Sequence, residues 1–340
     1  MLQSPPPPGA WDRFWQIEKV SPDDDWTRHF RIGAIVGMNI KANFSLNNTL
    51  PLSGNNGANG NYADGYVHPS PNGPYTSDWG YNNPSQYNAT THRLSMTQST
   101  SFSSIAGSSS EENGLAFPGF ELAYGGNLWK WGTARIGWDF GFGLLPISVT
   151  GSLSSTGQVS QAVYAFDTSG IDNIGITPNP FPPAGYHSGP GGTWSIPGTP
   201  VGPPTAIVSP GSITGSQTLD VILYTFRLGP TMYWDLNEDL GLQVGAGPAI
   251  GLMAGTLKYN ETIKTTAGPT VNQGQVHGTD VVYGGYVNAT LTYHVEQNGD
   301  LFIGAQYMPM GNASISGGGR EGQLNLGGQV YISAGINWTF

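Results

Sequence analysis

Between Phe30 and Phe44 the chain alternates without a break. Phe30, Ile32, Ala34, Val36, Met38, Ile40, Ala42 and Phe44 hold the even positions, against Arg31, Gly33, Ile35, Gly37, Asn39, Lys41 and Asn43 on the odd ones. A period of two puts successive side chains on opposite faces of a strand. A run of about 15 residues is far longer than the ordinary strand of about five or six. The pattern recurs seven times: between 116 and 128, from Ala134 to Leu144, Ile222 to Trp234, Leu240 to Leu252, Val281 to Tyr293, Leu301 to Tyr307 and Leu326 to Phe340. No charged residue stands on the apolar parity of these segments, in a chain with 10% charged residues. Arg31, Lys41, Glu121, Arg135, Asp139 and Arg227 all stand on the other parity.

That exclusion points to hydrocarbon. A lipid-facing Arg or Lys costs about 2–4 kcal/mol at the bilayer midplane, whereas a soluble sandwich predicts short strands. The connections support the same reading. Short turns at Gly126–Gly132, Asp235–Asp239 and His294–Asp300 alternate with long loops near 47–114, 151–217, 260–279 and 311–323. An even number of strands, short turns at one end and long loops at the other describe a transmembrane barrel. The fold class expected is all-β: a closed antiparallel transmembrane β-barrel of eight strands, with long extracellular loops. Weak alternation at Arg93–Phe102 and Gln158–Phe166 reads as strands projecting beyond the membrane and leaves a ten-stranded alternative open.

Eight strands leave an interior just wide enough for side chains. The six charged residues above therefore belong in the lumen, where a buried charge must be paired. Glycines on the same parity make room for them. The expectation is a charged network that plugs the bore; a conducting pore lined by the same charges is the alternative. Trp129, Trp131, Trp234, Tyr293, Trp338 and Phe340 cluster at the short-turn ends, as membrane-interface aromatics do.

The chain closes on Ala334-Gly335-Ile336-Asn337-Trp338-Thr339-Phe340, with apolar residues at alternate positions before a terminal Phe. In this ending and in its architecture, over about 30–340, it resembles the small eight-stranded outer-membrane β-barrel proteins of Gram-negative-type bacteria, the OmpA-like and OmpW-like group. The resemblance implies insertion into the bacterial outer membrane, both termini in the periplasm, long loops outside the cell, and recognition of the last strand by the barrel-insertion machinery. The two longest loops exceed what is usual for that group, and a peptidoglycan-binding domain after the barrel is not expected.

Residues 1–29 read as a periplasmic extension. Pro5–Pro8 should form a polyproline II spacer, and residues 10–19, with Trp11, Phe14, Trp15 and Ile17, an amphipathic helix or a plain linker. The start lacks the basic region and apolar stretch of a secretory leader, so a mature or trimmed chain is expected. The loops, rich in Asn, Gly, Tyr and Ser in one case and in Pro in the other, offer a contact surface for a protein partner or for self-association.

Chemistry is sparse. The chain has no Cys, hence no thiolate metal site or disulfide framework. Its six His are scattered without metal-ligand spacing, and neither a metal nor any other cofactor is expected. Tyr186-His187-Ser188 could suggest a nucleophile with a base, but adjacent residues on a Pro/Gly-rich loop rarely give triad geometry, and Asp23-Asp24-Asp25 reads as a solvated run rather than a Ca²⁺ site. A net charge of −10 with 12 Lys+Arg disfavours nucleic acid as a partner. The expected function is a non-enzymatic outer-membrane barrel with a structural or surface-interaction role. A narrow passive pore for small or apolar solutes and a lipid-modifying membrane enzyme are the alternatives.

Overall fold

A computed structural model describes residues 17–19, 28–46, 49–52, 60–104, 109–113, 116–172, 195–295 and 299–339. The polyproline spacer, residues 10–16 of the expected helix, Asp23–Asp25, Tyr186–Ser188 and Phe340 lie outside them.

Eight strands form the wall: β1 (Arg28–Met38), β2 (Ala116–Trp131), β3 (Ala134–Asp167), β4 (Thr205–Asp235), β5 (Leu240–Thr265), β6 (Gly268–Tyr293), β7 (Asp300–Tyr307) and β8 (Val330–Thr339). Each is antiparallel to the next along the chain. The ring closes where β8 pairs with β1, with Ala334 opposite Ala34. Closure leaves no strand edge in this zone, which is the condition for a sheet to exist in hydrocarbon. Alternation therefore yields eight ring strands rather than ten. Arg93–Ser104 instead pairs with the distal Gly157–Asp167 of β3, beyond the level where β2 and β3 pair. The β2–β3 turn is only Gly132-Thr133 and needs Gly132 at φ +61°, a conformation that costs Gly nothing.

The strand ends differ from expectation in a systematic way. β3 and β4 run for 34 and 31 residues, well into the regions expected to be loops. Along β4 the even residues Trp234, Met232, Pro230, Leu228, Phe226, Tyr224 and Ile222 point outwards, and then the outward face turns polar at Asp220, Thr218 and Ser216. The odd residues do the reverse: Thr231, Gly229, Arg227 and Thr225 are followed by buried Leu223, Val221 and Leu219. No register slip occurs between Asp220 and Arg227 in the β4–β5 pairing. β3 and β5 change over at the same level, where Ser148 Oγ donates to Asp220 Oδ1 and Lys258 Nζ to Asp220 Oδ2 at 2.8 Å. The lower barrel is thus apolar outside and polar inside; its upper continuation is polar outside and apolar inside. At a rise of about 3.3 Å per residue and the usual tilt, Trp234 to Ile222 spans about 30 Å, the thickness of a bilayer core.

Two irregularities invert the parity of single segments. Asn39 adopts φ +58° after β1, so Ile40, Ala42, Phe44 and Leu46 turn inwards and are buried. Beside it, Leu326 is buried rather than outward, and the inward parity resumes at Gln329 and Tyr331 after Gly327-Gly328. Asn39 Nδ2 donates to Gly328 O at 2.7 Å and ties the two breaks together. Lys41 consequently lies on the face opposite Ala42 and Phe44, half exposed, and not in the lumen. Above this level Lys41–Leu46 pairs with Ser109–Asn113 and Arg320–Asn325, and the latter with Ala313–Gly317.

The interior is filled along its length. Leu145, Leu223, Met253, Val282, Met308, Met310 and Tyr331 belong to one buried apolar cluster that continues upwards to Phe44, Leu257 and Leu324. Above it lie Leu50, Phe102, Leu153, Ile213 and Ile263. Last comes a cap in which Asn61–Tyr62, Gly65–Pro69 and Thr76–Tyr81 form a small sheet over Val67, Trp79, Leu94, Met96 and Phe166. The first long loop therefore has a core of its own. At the other end Ile17–Lys19, expected in a helix, is a strand antiparallel to Trp129–Trp131; it takes the part of the β2 edge that β1, starting opposite Gly126, leaves free.

The position of the crossover is testable. Leu228→Arg, at mid-belt, should weaken folding into lipid vesicles by about 2–4 kcal/mol. Ser216→Arg, on the same face of the same strand above Asp220, should change it by less than about 1 kcal/mol. Denaturant titration of the two variants measures the difference.

Candidate functional site

Four of the six expected lumen charges meet. Asp139, on β3 and fully buried, accepts from Arg31 NH2 of β1 through Oδ2, and from Arg227 NH1 of β4 at 3.2 Å. Arg227 NH2 reaches Glu121 Oε1 of β2 at 2.7 Å. Arg31 NH1 also donates to Gln243 Oε1 on β5 at 3.2 Å and Thr290 Oγ1 on β6 at 3.3 Å. The guanidinium carbons lie 5.8 Å from the Phe302 ring and 5.3 Å from the Tyr286 ring. Two cations and two anions, all at or below 9% exposure, form a neutral layer that touches seven of the eight strands. Space for it comes from glycine: a Cβ on Gly141 would lie 2.4 Å from Arg227 Nε.

Arg135 stands apart from this layer. It pairs with Asp235 at the short-turn mouth and lies 5.0 Å over the Tyr233 ring. A small polar cavity opens there, lined by His29, Arg135, Tyr233, Gln243, Thr292 and Asn337 among others. His29 Nε2 is 3.8 Å from Asp139 Oδ1, too far for a hydrogen bond, and neither atom has a protein partner. Gln243, in the cavity lining, accepts from Arg31 of the charged layer, and above that layer the apolar core begins. Lys41 is the sixth residue, placed outside the lumen by the break at Asn39.

The aromatics Trp129, Trp131, Trp234, Tyr293 and Trp338 all lie at the short-turn end. Trp129 is 44% and Tyr293 50% exposed, and Trp338 stacks on Phe30 at 6.2 Å. The structure thus collects these rings at one rim of the apolar belt.

Sequence reasoning missed a second buried pair. Glu261 on β5 and Arg320 on the Ala313–Asn325 hairpin are 0% and 1% exposed. Arg320 Nε donates to Glu261 Oε1 at 2.8 Å and NH2 to Oε2, a two-pronged pairing, with the guanidinium 3.8 Å from the Tyr259 ring. Gln217 and Asn272 also donate to this carboxylate, at 3.3 and 3.5 Å. Such bidentate bonds fix geometry as well as charge, and here they fasten the hairpin to β5. The signal available was Glu261 itself, a lone acid on the inward parity of Gln243, Met253 and Leu257.

The cap carries a polar cluster. His68 Nδ1 lies 2.8 Å from Asp78 Oδ2, and its Nε2 3.2 Å from Asn61 Oδ1. Ser77 Oγ donates to Asp78 Oδ1 and to the His68 carbonyl. The hydroxyl therefore faces the acid rather than the imidazole, the reverse of what a nucleophile with its base requires. Nearby Asp64 is buried and accepts from Thr97 N at 2.8 Å. Burial pushes its carboxyl above the ordinary range, and pushes the Tyr62 hydroxyl up to about 12.

No family model and no curated protein matches the chain. Among solved structures it is similar to the outer membrane protease OmpT from Escherichia coli, at 11% identity over 94% of this chain and 98% of that one, TM-score 0.28. It is similar to Ail, the attachment invasion locus protein of Yersinia pestis, at 9% identity over 92% and 99%, TM-score 0.25. The outer membrane protein OprG from Pseudomonas aeruginosa is 8% identical over 91% and 97%, TM-score 0.30. These values are too low to carry any role across. The barrel rests on its own hydrogen-bonded ring.

Asp139→Ala should cost about 3–5 kcal/mol, because it leaves two guanidiniums buried beside a single carboxylate; urea unfolding in micelles reads the loss. Asp64→Asn should act in the opposite direction. A carboxyl whose folded pKa is raised loses stability as pH climbs above its ordinary value of about 3.9. The Asn variant should therefore protect the cap from proteolysis better than wild type at pH 7, and equally well near pH 3.

Proposed function

We propose that this protein is an integral barrel of a bacterial outer membrane whose bore is sealed and whose work is done at the cell surface by its folded cap. The observation that carries this reading is the stacking order inside the barrel: the neutral charged layer, then a dry core from Leu145 to Leu324, then the Glu261–Arg320 pair, then the cap core. A passive pore needs a continuous polar or open path, and the cavity at the mouth is lined up to His29 and Gln243, beside the charged layer in which Arg31 donates to Gln243 and Asp139. An interior with no such path is a stiff stalk that holds the cap clear of the lipid.

The outward belt and its aromatic girdle support membrane insertion. The short turns, the start of β1 and the end of β8 share one end, which in this reading faces the periplasm. The alternating outward residues Ala334, Ile336 and Trp338 fit a last strand offered to the insertion machinery, with outer-membrane lipid as the standing partner. The His68 cluster does not set the Ser77 hydroxyl on the imidazole, and the reading assigns it no chemistry.

Conductance tests the sealed bore. The intact protein in a planar bilayer should give no steady current at neutral pH, and a stable large conductance would overturn the reading. Resistance to cold SDS with a mobility change on boiling tests insertion separately.

A further inference from the structure

The β3–β4 arm outgrows its neighbours. The ladder between β4 and β5 starts at Ser212 opposite Lys264, and the β5–β6 turn follows at Thr265–Gly268. Beyond it, Thr205–Gly211 of β4 is paired with β3 on one side only; among the described residues no strand covers the other side. A bare edge presents unpaired N–H and C=O groups to solvent, and native proteins normally guard it with charge, most often Lys. This edge carries no charge, and its one Pro, Pro210, lies at the lower end of the segment and leaves Thr205–Ser209 with all their N–H groups. No charged residue occurs from Ser195 to Leu219, Thr205 to Val208 are all exposed, and Ile207 and Val208 are 41% and 62% exposed. The edge stands roughly 30 Å above Asp220, the upper limit of the lipid-facing belt, at the strand rise and usual tilt.

We infer that this edge pairs with the same edge of a second copy held in a facing membrane. The direction of the strands selects that occupant. Two copies in one membrane hold their arms parallel. A two-fold axis along the membrane normal would then set each donor of the edge against the same donor, and no ladder can form. Copies in apposed membranes run antiparallel. A two-fold axis normal to the sheet and centred on Ile207 sets Ile207 against itself and Ala206 against Val208, with every pair uncharged in a chain of net charge −10. Antiparallel pairs of β-branched side chains are favourable cross-strand neighbours, and addition of a strand to an open edge is an established mode of association. The inference rests on the membrane reading above and adds adhesion between like surfaces to it.

The test uses the full-length protein in phosphatidylcholine vesicles, two populations with different fluorophores, scored for co-clustering. Wild-type vesicles should cluster. Vesicles bearing Ile207→Lys with Val208→Lys should not, and neither should those bearing Ile207→Glu with Val208→Glu. Mixing the Lys and Glu populations should restore clustering, which a general loss of folding cannot mimic. Wild-type vesicles that stay dispersed would overturn the inference, as would double variants that cluster like wild type. Wild-type dispersal in a protein that still resists cold SDS would refute the pairing while leaving the barrel intact. Binding of an unrelated uncharged peptide at the edge without clustering would assign the edge to a foreign strand instead.

Discussion

A β-strand cannot change which side chains face inwards without a break, yet the strands of this barrel pass from hydrocarbon into water. The whole structure depends on how the sequence meets that constraint. In β4 the odd residues face the axis from Thr231 to Ile213. What changes is the chemistry assigned to each parity. Next to lipid, the outside must be apolar and the inside can be polar; next to water, the reverse must hold if the extension is to have a core. The exchange occurs within a few residues on three adjacent strands, and Asp220, hydrogen-bonded to Ser148 and paired with Lys258, marks its outer side. One layer, at Leu145, Leu223 and Met253, is apolar inside while Leu144, Ile222 and Leu252 are apolar outside, so the apolar filling begins within the zone whose outer face is still apolar.

The charged layer follows from the same constraint. Below the crossover the lumen cannot be filled by apolar side chains without losing the contrast that orients each strand, and an eight-stranded bore is too narrow to be left open. Arginine suits this space because one guanidinium can bond to several strands at once. Arg227 bridges Glu121 and Asp139, and Arg31 bridges Asp139, Gln243 and Thr290. With balanced charge, the layer avoids an uncompensated ion in a poorly hydrated space. The net energetic gain from such buried pairs is small; their effect is to make one register, and one strand order, far better than any other.

Much of this is legible in the sequence, and the failures share one cause. The eight ring strands, their outward faces, the short-turn end and the association of Arg31, Glu121, Asp139 and Arg227 all follow from a period of two and the exclusion of charge. A reader who tracks only one apolar parity, however, takes its disappearance at Asp220 for the end of β4, when the other parity has become apolar at Leu223, Val221 and Leu219. The long extensions of β3, β5 and β6 disappear from such a reading for the same reason, and with them Glu261 and its partner Arg320. Lys41 and Leu326 are misplaced by a different effect. A single residue at φ +58°, Asn39, and the Gly327-Gly328 pair shift the phase by one, and alternation carried across either point assigns every later side chain to the wrong face. The core of the cap, with Trp79 and Phe166 fully buried, has no local period to betray it, because its residues come together from distant segments.

The two ionic layers also divide the mechanical work. The lower one joins strands that already have backbone partners on both sides, so it fixes what the ladder has specified. The upper one joins elements that no ladder connects: β6 pairs with β7 only up to Val287 opposite Tyr307, and beyond that the wall is completed by the Ala313–Asn325 hairpin, which has no strand pairing to β6. Backbone bonds from Gly285 N to Pro309 O and from Gly311 N to Tyr283 O start that seam, and side-chain contacts continue it. Ile315 packs against Gly278, and Ser314 N donates to Asp280 Oδ2 at 2.8 Å. Arg320 draws the hairpin towards β5 across the dry core through the two-pronged bond to Glu261. A lysine at 320 would keep the charge but could not grip both carboxylate oxygens in one plane, so the hairpin would keep its ladder to Lys41–Leu46 and lose its tie to β5.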